Sequence, residues 1–255
     1  MLTRAALVLS ICLATTGHVS AQANRVVRLT TADDVGIYAA FYPPQTNPAP
    51  AVLLLHSLGK SRDEWASLAP LLQQVGFAVL AIDFRGHGES TRRVTARGLQ
   101  SVDFNSFTSR DYAALLLDVN VAFDWLADQP GVDARRIGIA GSSLGANLAL
   151  RYAVVNDEIA ALLLLSPGLV YHEIRTDDVI GKTGSRPLRI VVSRDDPFAF
   201  ESAKRLVELR NAGGPSTRSN ELTVCTGFLH GAAMLTGVKD LTGVVVAWLR
   251  QALAQ

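Results

Sequence analysis

Near the middle of the chain stands Gly141-Ser142-Ser143-Leu144-Gly145, a G-x-S-x-G sequence. A strand-like run at residues 136–140 precedes it, and Leu144, Ala146, Leu148, Ala149 and Leu150 continue as a helix. A strand that turns sharply into a helix at such a sequence holds its central serine in strained dihedrals, with the hydroxyl exposed above the sheet. The two glycines remove side chains that would collide at the turn, and the helix aims backbone N–H groups at the site. Ser142 fits less well, because Ala140 would have to serve as its first glycine. The chemistry open to Ser143 is nucleophilic attack on a carbonyl carbon.

A serine hydroxyl attacks when a histidine takes its proton and a carboxylate orients that histidine. On a turn of this kind the partners follow in the chain order serine, acid, histidine. Of the five histidines, His230 lies late enough to leave room for an acid-bearing strand after Ser143. The acid belongs at the C-terminal end of that strand, where Asp195 and Asp196 both precede Pro197. Asp196 is the preferred acid; Asp195 would then be an exposed neighbour or cap the helix that follows. The developing oxyanion also needs donors. The N–H of Leu144, one residue past the nucleophile, is the first. The second is expected from the loop His56-Ser-Leu-Gly59, where Leu58 N–H is the candidate. His56 itself reads as a hydrogen-bonder shaping that loop. Asp83-Phe-Arg-Gly-His-Gly-Glu-Ser90 is a Gly-rich turn whose Arg85 and His87 read as shaping a neighbouring loop. Neither a G-x-G-x-x-G dinucleotide motif nor a phosphate-binding P-loop is present, and no metal or cofactor is expected.

These residues need a scaffold. Residues 26–30 and 35–42 read as two early strands joined by a turn at Asp33-Asp34. Residues 51–56 form a continuous apolar run, as expected of a strand buried on both faces, 77–83 is the next buried run, and 136–140, 159–166, 188–193 and 221–224 read as further strands. Helical spacing appears at 62–75, 107–127, 144–155, 200–211 and 238–253, with Thr108 or Ser109 available as an N-cap. Strands alternating with helices imply right-handed crossovers and a mostly parallel sheet of roughly eight strands. No internal repeat or interdomain linker appears, so residues 22–255 read as one domain.

The first residues carry a different signal. Arg4, a short apolar stretch from Ala5 to Leu13, and small residues ending Val19-Ser20-Ala21 describe a secretory leader over residues 1–21. Cleavage is expected after Ala21, with Ala23 as the alternative, and a secreted or periplasmic location follows. The apolar stretch is short of the roughly 20 residues that span a bilayer. Without the leader, roughly 230 residues remain, a size that suits one α/β domain. Cations and anions then balance, which excludes the electrostatic footprint of a nucleic-acid or anionic-membrane partner. Cys225 stands alone in an alternating run and reads as a small buried hydrophobe.

Five ordered pieces, His56-Ser-Leu-Gly59, Asp83-Phe-Arg-Gly-His-Gly-Glu-Ser90, Gly141-Ser-Ser-Leu-Gly145, Ser193-Arg-Asp-Asp-Pro197 and His230, resemble the α/β-hydrolase superfamily, over nearly all of the chain after the leader. The small bacterial dienelactone-hydrolase-like and esterase-like members are the nearest in kind. The resemblance implies an eight-stranded α/β sheet, acyl-enzyme chemistry without a cofactor, and the roles of nucleophile, acid and base on Ser143, Asp196 and His230. Two departures stand out. Family members usually carry His-Gly at the oxyanion loop, and a side chain on Ser57 could narrow the site. Dienelactone hydrolases proper use a cysteine nucleophile, so Ser143 favours ester hydrolysis, with a small-molecule ester as the partner. Between Pro167 and Pro187 there is room for one short helix and no lid domain; this segment and residues 91–106 are expected to form the pocket rim. An amidase or peptidase on the same triad, and a non-catalytic binding protein on the same fold, remain as alternatives.

Overall fold

The computed structural model describes residues 24–212 and 221–254, so the leader expected at residues 1–21 lies outside the described residues. Strands β1 (Arg25–Thr30) and β2 (Val35–Tyr42) pair antiparallel around a turn in which Asp34 takes a φ of 63°. Then come β3 (Ala49–Leu55), α1 (Ala69–Gln74), β4 (Ala78–Ile82), and a hairpin of β5 (Arg92–Thr95) and β6 (Gly98–Ser101). The long α2 (Ser109–Ala127) leads into β7 (Val132–Ser142), α3 (Leu144–Val155) and β8 (Ile159–Leu165). A small hairpin, β9 (Val170–Tyr171) and β10 (Ile174–Arg175), precedes β11 (Leu188–Ser193) and α4 (Pro197–Ala212). The chain closes with β12 (Glu221–Cys225), α5 (Ala233–Gly237) and α6 (Leu241–Ala252).

Among the described residues, ten strands form one sheet in the order β12-β11-β8-β7-β3-β4-β2-β5-β6, with β1 paired to β2. The run from β12 to β4 is parallel throughout. These strands are apolar on both faces because helices cover both: Val52, Leu53, Leu54 and Leu55 of β3 are all fully buried. Helices α2, α3 and α4 pack on one side, α1, α5 and α6 on the other. Helix α2 buries Leu115, Val119, Ala122, Phe123 and Leu126, an apolar stripe at helical spacing. Its first turn is held by Thr108, whose backbone N–H donates to Asp111 Oδ2 at 2.8 Å.

The structure departs from the sequence reading at identifiable places. The helix expected over 62–75 splits into a 3-10 turn, Arg62–Trp65, and α1. Pro70 explains the break: it has no N–H for the preceding turn, and it is pre-set for the first turn of a new helix. The sheet has two strands more than the expected eight, because the stretch read as irregular at 91–106 contains the β5–β6 hairpin, which extends the sheet from the start of β2. The segment 167–187 holds the β9–β10 hairpin and a 3-10 turn, Ile180–Thr183, in place of one short helix. Helix α4 starts at Pro197, three residues before the expected 200. Among the described residues no helix is long and apolar enough to cross a membrane.

Candidate active site

Strand β7 ends at Ser142 and α3 begins at Leu144, so Ser143 is the whole turn between them. Its backbone stands at φ 55° and ψ −119°, a region that side-chain-bearing residues rarely occupy. The neighbouring glycines permit it. A Cβ on Gly141 would lie 2.1 Å from the Gly145 carbonyl oxygen, and one on Gly145 would lie 2.4 Å from the Leu55 carbonyl oxygen in β3. Gly145→Ala is therefore expected to lower stability by about 2–3 kcal/mol through overpacking against rigid backbone. A fall in the urea midpoint at unchanged slope checks it; an unchanged midpoint would contradict the close approach.

The Ser143 hydroxyl donates to His230 Nε2 at 2.8 Å, and His230 Nδ1–H donates to Asp196 Oδ2 at 2.5 Å. The other carboxylate oxygen of Asp196 accepts the Ala199 N–H at 3.3 Å, in the N-cap position of α4. The capping role considered for Asp195 thus falls to Asp196 itself, because Pro197 starts the helix one residue later. Asp195 accepts the Gly227 N–H at 2.6 Å and ties the loop after β12 to the loop after β11.

Two serines hold the His230 loop from below. Gly231 N–H donates to Ser166 Oγ at 2.9 Å, and Ala232 N–H donates to Ser142 Oγ at 2.8 Å. Ser142 Oγ also meets Ser57 Oγ at 2.7 Å. Ser57 is gripped twice by Glu64, through its N–H at 2.7 Å and its hydroxyl at 2.8 Å. The Ser57 side chain is thus engaged by Ser142 and Glu64. Neither Ser166 nor Glu64 stands out in the sequence, and Ser142 enters it only as a less fitting nucleophile. A cavity of about 530 Å³, lined in part by Gly59, Lys60, Glu64, Ala232 and Thr236, opens beside this network.

The Leu58 and Leu144 N–H groups donate to no acceptor among the described residues. One follows β3 and the other lies at the first turn of α3. Beneath them lies His56, fully buried. Its Nε2 accepts the Phe84 N–H at 3.0 Å, which leaves Nδ1–H to donate to the Ser57 carbonyl at 2.6 Å. His56 therefore clamps the loop after β3 to the loop after β4. The rim above is aromatic. Phe104 stacks on His87 at 4.2 Å, Tyr112 packs edge-on to Phe107 at 5.5 Å, and His172 stacks on Tyr112 at 4.3 Å. This row joins the two segments expected to form the rim. Among the described residues no group of three or more His, Cys, Asp or Glu side chains could hold a metal ion.

Comparison with known proteins fits this architecture. The family model for the alpha/beta hydrolase fold matches residues 50–198, more than half of the chain. The chain belongs to the alpha/beta hydrolase fold family. An uncharacterized protein of Mycobacterium tuberculosis is 33% identical over 146 residues, which cover 57% of this chain and 46% of that one. The chain thus spans about half the length of that relative. Among solved structures, an esterase of Pyrococcus furiosus superposes with a TM-score of 0.68 at 20% identity, covering 90% of this chain and 93% of its own. A dienelactone hydrolase of Anabaena variabilis gives 0.69 at 19% identity, covering 90% and 98%.

Within this alpha/beta hydrolase, His56 carries a pH signature. Burial lowers its pKa from the ordinary 6.5 to about 3, against the pull of the Ser57 hydrogen bond. The unfolded chain binds a proton near pH 6.5 that the folded protein refuses until near pH 3. Its contribution is full above pH 6.5 and shrinks as pH falls, by about 1.4 kcal/mol per unit. Urea unfolding of the wild type and His56→Asn at about pH 7, 6 and 5 reads the difference. The gap between the two proteins should narrow toward low pH; a constant gap would exclude His56 as the group responsible.

Proposed function

We propose that the protein is a serine carboxylesterase that cleaves small or accessible acyl esters through an acyl-enzyme on Ser143. The observation that carries this reading is the continuous chain of hydrogen bonds from Ser143 through His230 to Asp196, set on a strained turn beside two unpaired N–H groups. Ser143 Oγ attacks the carbonyl carbon while His230 Nε2 takes the hydroxyl proton. Asp196 keeps the histidine proton on Nδ1 and stabilises the imidazolium that forms. The N–H groups of Leu58 and Leu144 bind the developing oxyanion. His230 then gives its proton to the departing alcohol and later activates water for deacylation. The short rim segments favour accessible acyl groups, and the esterase and dienelactone hydrolase of like fold support hydrolysis as the reaction class.

Reaction of the protein with a fluorophosphonate, read by intact mass, tests the reading, with p-nitrophenyl esters of increasing acyl length as the follow-up. One adduct on the wild type and none on Ser143→Ala is expected. An unlabelled wild type would favour the non-catalytic binding protein. The leader-like residues 1–21 support export to the periplasm or the medium; a mature protein starting at Gln22, read by N-terminal sequencing, is the expected result.

A further inference from the structure

After β8 the chain passes Ser166 and Gly168 into the β9–β10 hairpin. Its two-residue turn is His172-Glu173, and both residues take positive φ, 45° and 66°. Such a turn normally draws Asn-Gly, so two bulky residues there must be held by their surroundings. The stacking of His172 on Tyr112 supplies that hold. The result is a fixed place for Tyr171, the residue just before the turn.

The Tyr171 ring stands edge-on to His230, centroids 6.4 Å apart, and packs on Phe198 at 5.4 Å. Gly168 leaves the room for it, since a Cβ there would lie 2.7 Å from the Tyr171 ring. Among the described residues the Tyr171 hydroxyl donates one long hydrogen bond, 3.4 Å, to the Ser166 carbonyl. The ring thus stands beside the base that holds the Ser143 hydroxyl at 2.8 Å. Burial, with the Asp196 charge adding to it, pushes the phenol up to about 12, so it keeps its proton at neutral pH.

The sheet order decides what this hydroxyl can reach. Strand β7, which carries Ser143 at its end, lies between β3 and β8. The loop with Leu58 follows β3 and approaches Ser143 from one side; the hairpin follows β8 and approaches from the other. Tyr171 therefore lies across Ser143 from the Leu58 donor. It shares its side with the ring of His230, the group that delivers the proton to the leaving group.

We propose that the Tyr171 hydroxyl donates a hydrogen bond to the alkoxy oxygen of the scissile ester, and that the site is thereby suited to esters of aliphatic alcohols, which are poor leaving groups. The proposal rests on the hydrolase reading of Ser143. As the tetrahedral intermediate collapses, the bond between the carbonyl carbon and the alkoxy oxygen breaks and its electron pair goes to that oxygen. The oxygen takes the proton held on His230 Nε2, the alcohol departs, and the acyl group stays on Ser143 Oγ. Tyr171 keeps its own proton throughout and stabilises the charge that builds on the leaving oxygen.

The test compares Tyr171→Phe with the wild type on two esters of one acyl group, an ethyl ester and a p-nitrophenyl ester. Nitrophenolate leaves without a proton, so its release does not need the donor. The ratio kcat/KM, which reports acylation, should fall about ten-fold or more on the ethyl ester, and stay within about three-fold on the p-nitrophenyl ester. Fluorophosphonate labelling of Tyr171→Phe should match the wild type, which shows that Ser143 is still assembled. Equal losses on both esters would reduce Tyr171 to packing and overturn the proposal, as would no loss on the ethyl ester. A wild type that labels with fluorophosphonate but hydrolyses neither ester also overturns it. A wild type that does neither brings down the hydrolase reading, and the proposal with it.

Discussion

Asp196→Asn is expected to cut kcat on the order of 10⁴-fold, close to the loss from Ser143→Ala, whereas Asp195→Asn stays within about ten-fold. The two aspartates are adjacent in sequence and differ in what they hold. Asp196 Oδ2 accepts His230 Nδ1–H at 2.5 Å, and that bond leaves Nε2 bare to receive the Ser143 proton at 2.8 Å. An asparagine can turn its amide N–H to the ring, favour the opposite tautomer, and put a proton where the base must be empty. Asp195 accepts a backbone N–H from Gly227 at 2.6 Å. Asparagine still offers an oxygen there, so the loop keeps its tie. Steady-state turnover of an ester that the wild type accepts, with circular dichroism to confirm folding, reads the contrast. The double variant Ser143→Ala/Asp196→Asn should be no slower than the worse single one, because the groups act as a unit. If Asp195→Asn were the slow variant, the acid would have to be reassigned.

The parts of this site that were legible in the sequence are those with a local pattern. A buried strand, a tight glycine-framed turn and an apolar helix are written within residues 136–150, and their spacing is what the backbone needs around Ser143. The order of acid and histidine narrowed His230 among five histidines. It did not separate Asp195 from Asp196, because the choice depends on where α4 begins and which loop lies opposite. The alternation of strands and helices was legible for the same local reason, and so was the parallel core of the sheet. The β5–β6 hairpin was not: Arg92, Arg93 and Gly98 lack the apolar alternation of a strand, and these strands are mostly exposed and held by pairing to β2. The tertiary supports were the least visible. Ser142, Ser166 and Glu64 meet only after strands and loops far apart in sequence come together, and a serine or a glutamate announces nothing by itself. Tyr171 belongs with them. Its place is set by a hairpin turn of His172-Glu173 that no turn propensity would suggest.

Asp118→Ala should lower the free energy of unfolding by about 3–5 kcal/mol, a large part of the roughly 5–15 kcal/mol that a domain has. Asp118 is fully buried on α2, and Arg85 is 3% exposed. The guanidinium lies 2.7 Å from Asp118 Oδ1, and the Arg85 backbone N–H donates to Asp118 Oδ2 at 2.9 Å. Asp33, on the turn between β1 and β2, takes the other face of Arg85 at 2.8 Å. Burial pushes the Asp118 carboxyl up to about 6 even against the pull of Arg85, so the pair is still ionised at pH 7. Removing Asp118 leaves a buried cation with one partly exposed partner, and that uncompensated charge is the source of the loss. Asp33→Ala should cost less, because Arg85 keeps its buried carboxylate. Replacing both charges with apolar residues, Arg85→Met/Asp118→Leu, should recover much of the loss from Asp118→Ala, as buried pairs do when both partners are exchanged. Urea unfolding at pH 7 measures all three. A loss under about 1 kcal/mol for Asp118→Ala would mean that water reaches Arg85. The pair holds the loop that carries His87, and His56 clamps that loop to the one bearing Leu58. Stability lost here should therefore appear first as weakened turnover at temperatures where the wild type is still fully active.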